Sequence, residues 1–378
     1  MLPARQSHRA CLADVLPSCL AALDGAANPL ALGPVDAAVV VLADGLGNAA
    51  LRARAGHART LTRGLVKADV LVSGFPSTTA AAIASFATGV LPGEHGLVGY
   101  TVLDPANDRV VNQLSGWDEH LEPDTWQRSR TQFERAREHG IGAYSVGPTR
   151  YASTGYTRAV LRGSEYVPAG DIGDRFAVAS AVLDRDPRSL VYVYVPELDV
   201  AAHASGWESD RWLAALEALD AAVAAFSASR GARQGLLVTA DHGMLDVPPT
   251  SHVLFDSEPD LVAGVRHVAG DPRCLQLHLE PGASPGDVER LAGAWRDAEG
   301  GRSFIATRDE AIDSGWFGDV AAEVRPRMGD VFVAARARIA YYDSRETNPG
   351  PRRMVGQHGS LSPEELQVPL VRLGAFAR

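Results

Sequence analysis

Several short stretches of this sequence combine acids, histidines and hydroxyls at spacings that could bind cations and hydrolyse an ester. Asp199 and His203 stand four residues apart after Pro196; if the chain turns helical there, both side chains lie on one face and can reach one ion. Asp241 and His242 are adjacent, and at a strand end turning through Gly243 both can face one crevice. His358 sits in Gly356-Gln357-His358-Gly359-Ser360, where flanking glycines allow a close backbone approach. Asp44 comes directly after an apolar run and opens Asp44-Gly45-Leu46-Gly47. Any one of these alone reads as a helix cap or a satisfied polar residue; the combination favours ligands for divalent metal ions. The mix of carboxylate and imidazole suits Zn2+ better than magnesium, and Mn2+ is also compatible.

The hydroxyls are in Phe75-Pro76-Ser77-Thr78-Thr79, ahead of the small-residue segment AAAIASFATG, which reads as a helix starting at Thr79. A hydroxyl there would face free N–H donors and the positive end of the helix dipole, a favourable place for a phosphoryl oxygen. The plainer reading is an N-cap cluster.

These residues need elements to position them. Residues 36–43, DAAVVVLA, form an apolar, β-branched run of the kind a strand buried on both faces shows; 189–195, SLVYVYV, and 235–239, GLLVT, repeat the pattern. Each run ends at acids: Asp44, then Glu197 and Asp199, then Asp241. Helical stretches lie between them, at 50–66, 176–185 and 209–229. The alternation predicts an α/β fold, a mostly parallel central sheet with helices on both faces, and ligands on such sheets gather beyond the carboxyl ends of the strands. From 250 to 345 the texture changes to shorter pieces, CLQLHL, a helix SPGDVERLAGAWRDAE, SFIAT and DVFVAA. The division is therefore a core of 1–249 and 346–378 with a small α+β cap or insertion at 250–345.

With 46% hydrophobic and 22% charged residues, the chain can bury a sizeable core. A net charge of -10, from 36 basic and 46 acidic residues, argues against gripping nucleic acid. The three cysteines form no CxxC pair, which fits cytosolic thiols. Asp14 and Pro17 interrupt the apolar stretch at the N-terminus, a poor leader core, and no run of about 18 apolar residues suggests a membrane span. The composition reads as a cytoplasmic protein.

The stretches VVVLADGLG, FPSTTAAAIASFATGVLPGEHGLVGY, YVPELDVAAHASG, LLVTADHGM and GQHGS occur in that order from residue 39 to 360. They resemble the alkaline phosphatase superfamily, and within it the nucleotide pyrophosphatase/phosphodiesterase and phosphonoacetate hydrolase branch. The resemblance implies that Asp199, His203 and His358 bind one ion and Asp44, Asp241 and His242 the other. It implies Thr79 as a nucleophile bonded to the second ion and forming a covalent phospho-threonine; the choice over Thr78 rests on the interval to Thr88-Gly89. Ala82, three positions past Thr79, offers no polar group to the phosphoryl oxygen. That leaves the Thr79 N–H, the metals or another side chain, for which Asn48 and Tyr156 are the candidates.

The implied substrate is a small phosphorylated molecule, a phosphodiester or nucleotide. A phosphomonoesterase, with Arg150 and Arg162 as a clamp, and a carbon–phosphorus hydrolase are the alternatives. Tyr151, Tyr156, Trp117, Trp316 and the Phe75 segment could line a slot for a diester's second arm, although core packing is the commoner role of such residues. A sulfatase is disfavoured because no Cys or Ser stands in the required Pro-Arg context. An inactive metal-binding protein would show an eroded ligand set or no nucleophile, and neither is seen.

Overall fold

All seven residues of Ala37–Ala43 (β1) are buried, as expected for β-branched side chains in a strand covered on both faces. The computed structural model describes residues 2–4 and 9–378. Of the N-terminal stretch that reads as a poor leader, Met1 and residues 5–8 lie outside the described residues, while Val15–Leu23 is a helix packed into the main core.

Gly142–Pro148 (β2), Glu165–Ala169 (β3), Ser189–Val195 (β4), Gln234–Thr239 (β5) and Val371–Gly374 (β6) complete a six-stranded sheet in the order β6-β5-β1-β4-β2-β3. All neighbours pair in parallel except β6, which runs antiparallel to β5. Flanking helices include Ile172–Arg185, Asp210–Ala228 and Thr79–Thr88 (α1), and β4 leads through Pro196 into Glu197–Ser205 (α2). Strand register sets where the acids emerge. Ala43 pairs with Val195 and Leu42 with Thr239. The carboxyl ends of β4, β1 and β5 are therefore level, and the acids just past them lie along one edge.

The stretch at 50–66 is not one helix. It breaks into Asn48–Ala53, the 3-10 turn Ala55–His57 and Arg59–Thr62, and the break carries Gly56, a weak helix former.

The second sheet is antiparallel and also six-stranded. Cys274–Leu279, Ser303–Thr307 and Val331–Ala335 fall where the sequence reads as an insertion, together with Val265–Asp271. The sheet also takes in Thr101–Asp104 and Arg109–Asn112, well before residue 250. Side-chain alternation explains how it is held. Val331, Val333 and Ala335 join Leu291 and Trp295 of the helix Pro285–Glu299 in one apolar cluster, whereas Phe332 and Ala334 join the main core. Among the described residues no helix is long and apolar enough to cross a membrane.

Candidate active site

The crevice beyond β1, β4 and β5 is built by tight turns. Gly45 has φ 73°, and a Cβ on it would lie 3.1 Å from the Asp199 Cα. A Cβ on Gly243 would lie 2.0 Å from the Glu364 carbonyl oxygen. Glycine at these positions lets the turns carrying Asp44 and Asp241-His242 close on their neighbours.

Backbone carbonyls orient all three histidines. His203 Nδ1 lies 2.8 Å from Gly356 O, His358 Nδ1 2.9 Å from Ser77 O, and His242 Nδ1 3.2 Å from Gly243 O. A carbonyl only accepts, so each Nδ1 carries the proton and each Nε2 presents a lone pair inward. Those lone pairs converge: His203 Nε2 is 3.3 Å from both His358 Nε2 and Asp199 Oδ1, and His358 Nε2 is 4.0 Å from that oxygen. His242 Nε2 lies 3.5 Å from Asp44 Oδ1 and 3.5 Å from Asp241 Oδ2. The His242 and His358 rings stack at 3.7 Å, joining the two groups.

The acids show the same arrangement. Asp241 Oδ1 accepts the N–H groups of Gly45 and His242, and Asp44 Oδ2 accepts the Tyr194 hydroxyl. Their second oxygens, Asp241 Oδ2 and Asp44 Oδ1, are buried without a hydrogen-bond partner, as is Asp199 Oδ1. Burial and the Asp241 and Asp199 charges push the Asp44 carboxyl well above the usual range, and burial raises Asp241. Burial, and then the neighbouring His242 and His203 rings, hold His358 well below the ordinary imidazole value. Crowded carboxylates with orphaned oxygens, set opposite imidazole nitrogens that point inward, make a site short of positive charge, and divalent cations fit such a donor set. Two groupings of donor atoms can each hold an ion, Asp44–Asp241–His242 and Asp199–His242–His358. His203 Nε2, 3.3 Å from donors of Asp199 and His358, belongs with the second.

The hydroxyl cluster resolves residue by residue. Ser77 Oγ donates to Ser360 O at 2.7 Å and accepts from Gly359 N, clamping the His358 loop to the start of α1. Thr78 is the N-cap but makes no capping bond. Thr79, the first residue of α1, places Oγ1 3.1 Å from His242 Nε2. Thr79, Asp199, His203 and His358 line a cavity of about 770 Å³, whose wall includes Tyr100 and Asp271 from the second sheet and its approach.

Other expected residues lie elsewhere. The Tyr156 hydroxyl is within 3.0 Å of the Thr79 and Ala80 carbonyl oxygens, so it braces the first turn of α1 rather than facing a phosphoryl oxygen. Asn48 Oδ1 accepts from Arg52 Nε at 3.0 Å, and Asn48 is not in the cavity wall. Ala82 packs in the main core. Arg162 is spent on the Gln127 and Ser129 carbonyls and Arg150 lies over the Tyr151 ring. Phe75 packs on Trp316 and Phe317, and Trp117 donates to Gln113 O. None of these lines the cavity. Sequence reasoning missed the roles of Tyr194, Ser77, Tyr100 and Asp271. Tyr194 alone leaves a trace, since it is the penultimate residue of β4 and pairs with Leu42, two positions before Asp44.

A family model described as type I phosphodiesterase / nucleotide pyrophosphatase matches residues 38–361. Murine ectonucleotide pyrophosphatase/phosphodiesterase 5 superposes with a TM-score of 0.67 at 16% identity, over 88% of this chain and 87% of that one. An inactive variant of the murine protein in complex with AMP gives 0.68 at 16% identity, over 89% and 88%. Phosphonoacetate hydrolase from Sinorhizobium meliloti 1021 in complex with phosphonoacetate gives 0.65 at 17% identity, over 90% and 91%. No curated protein matches the chain in sequence.

Proposed function

Since the chain belongs to the type I phosphodiesterase / nucleotide pyrophosphatase family, we propose that it hydrolyses phosphodiester or nucleotide-type phosphoanhydride bonds through a phospho-threonine on Thr79, with two divalent cations. The observation that carries this reading is the 3.1 Å approach of Thr79 Oγ1 to His242 Nε2, at a helix N-terminus and in one cavity with Asp199, His203 and His358. Asp199, His203 and His358 would hold one ion, and Asp44, Asp241 and His242 the other. Nitrogen and oxygen donors together favour zinc, with manganese compatible. When bound, such ions supply Lewis-acid stabilisation of phosphoryl oxygens and lower the pKa of a nearby hydroxyl.

The chain's own groups do the rest. Thr79 gives up its proton to water and its Oγ attacks phosphorus in line with the departing oxygen, forming the Oγ–P bond as the P–O bond breaks. The free N–H groups of the first turn of α1 face the phosphoryl oxygens. Water then cleaves the phospho-threonine. The Tyr156 hydroxyl holds the carbonyls of Thr79 and Ala80, fixing the nucleophile's backbone. AMP bound by the murine relative supports a nucleotide-type substrate.

The deciding experiment compares bis-(p-nitrophenyl) phosphate, p-nitrophenyl phosphate and phosphonoacetate under one set of metal conditions. Preference for the diester is expected, and preference for the monoester or the phosphonate would overturn the substrate class.

A further inference from the structure

Three arginines line the cavity that contains Thr79, namely Arg266, Arg345 and Arg352. Two are neutralised locally. Arg266 holds the Asp108 carboxylate and, at 2.8 Å, Glu280; Arg345 takes both oxygens of Asp343, at 2.8 and 2.6 Å. Among the described residues Arg352 makes no ion pair and no side-chain hydrogen bond. Glu346, on the same wall, turns its carboxylate to the Asn348 N–H. In a chain of net charge -10, one uncommitted guanidinium in the cavity wall is a focus for an anion.

Its position is held. The Tyr342 hydroxyl donates to Pro351 O at 3.0 Å and Gln357 Nε2 to Met354 O at 3.3 Å, bracketing the turn Pro351–Arg353. Val355, three residues on, donates its N–H to His203 O at 2.8 Å; three residues span at most roughly 10 Å, so the turn is moored beside the histidine cluster. Arg353, its neighbour in sequence, is exposed and outside the cavity wall.

A guanidinium offers a planar fork that matches a phosphate's oxygens. A cavity of about 770 Å³ also exceeds what a single phosphoryl group fills. We propose that Arg352 binds a second anionic phosphate of the substrate, beyond the one attacked, so that the site prefers nucleoside di- and triphosphate-type phosphoanhydrides over diesters with uncharged arms. This rests on the phosphohydrolase reading of the same cavity.

Two measurements test it on the full-length, metal-loaded protein. In turnover, Arg352→Ala is expected to raise the KM for ATP by about tenfold or more while kcat and KM for bis-(p-nitrophenyl) phosphate stay within about twofold, with Arg352→Lys partly restoring ATP and Arg353→Ala unchanged. Equal losses on both substrates, or no loss on ATP, would overturn the assignment. In calorimetry on a Thr79→Ala background, ATP should bind about tenfold more tightly than AMP, and Arg352→Ala should erase the difference. Equal ATP and AMP affinities with Arg352 intact would also overturn it. If the wild type hydrolyses no phosphate ester, the phosphohydrolase reading falls, and the ATP-to-AMP binding ratio still decides the role of Arg352.

Discussion

His203 Nε2 and His358 Nε2 face each other at 3.3 Å, although the Nδ1 of each ring is already committed to a backbone carbonyl. Two imidazoles held this way oppose Nε2 to Nε2, an arrangement that a shared cation satisfies. Metal analysis of the purified protein is expected to find about two transition-metal ions per chain, and His358→Ala about one. Zinc at about a hundred times its Kd should add about 2.7 kcal/mol to the unfolding free energy. Fewer than one ion in the wild type would sink the two-ion model.

Thr79 and Thr78 are adjacent, yet only the Thr79 hydroxyl reaches His242. Thr79→Ala should therefore lower kcat by at least about a thousandfold with metal content largely kept, and Thr78→Ala by less than about tenfold. Steady-state kinetics alongside metal analysis separates the two, and the reverse ranking would move the nucleophile by one residue.

What the sequence made legible was local. β-branched runs ending in acids mark β1, β4 and β5, and the four-residue step from Asp199 to His203 marks one face of α2. The start of α1 at Thr79 is equally readable, because a run of small residues succeeds the hydroxyls. Long-range partnerships are not. That Thr101–Asp104 pairs with a strand from the 250–345 stretch, that Ser77 clamps Ser360, and that Tyr156 braces Thr79 each depend on chain segments far apart in sequence. Propensity and spacing carry no information about such pairs. Tyr156 and Asn48 stand out in the sequence as polar residues, but a polar group's role depends on which partner the fold brings to it.

Arg273 and Glu365 are both fully buried and pair through two bonds of 2.8 Å each. The pair ties the second sheet to the loop after His358, because Glu365 Oε1 also accepts the Ser360 N–H at 2.9 Å. Removing one partner strands a buried charge. Glu365→Ala is expected to cost about 3–5 kcal/mol, and the double change Arg273→Met with Glu365→Leu less than that single one. Urea denaturation of the three proteins checks it; a double change that costs more than Glu365→Ala would contradict the stranded-charge account.

Asp271 ends the strand Val265–Asp271, and its Oδ2 is buried without a hydrogen-bond partner. Burial raises its carboxyl from 3.8 to about 8, against the favourable Tyr100 backbone N–H. A folded-state value above the unfolded one means that the folded chain holds this proton more tightly. The stability it contributes is complete below about pH 4 and is lost as the pH rises to about 8. Asp271→Asn keeps an acceptor for the Tyr100 N–H and cannot ionise. In metal-free protein, the variant should therefore gain on the wild type steadily between pH 5 and pH 8, by on the order of a few kcal/mol, and hold that margin at pH 9. Urea midpoints measured in the presence of a chelator at each pH decide the matter, and parallel profiles for the two proteins would show that Asp271 ionises without cost in the folded state.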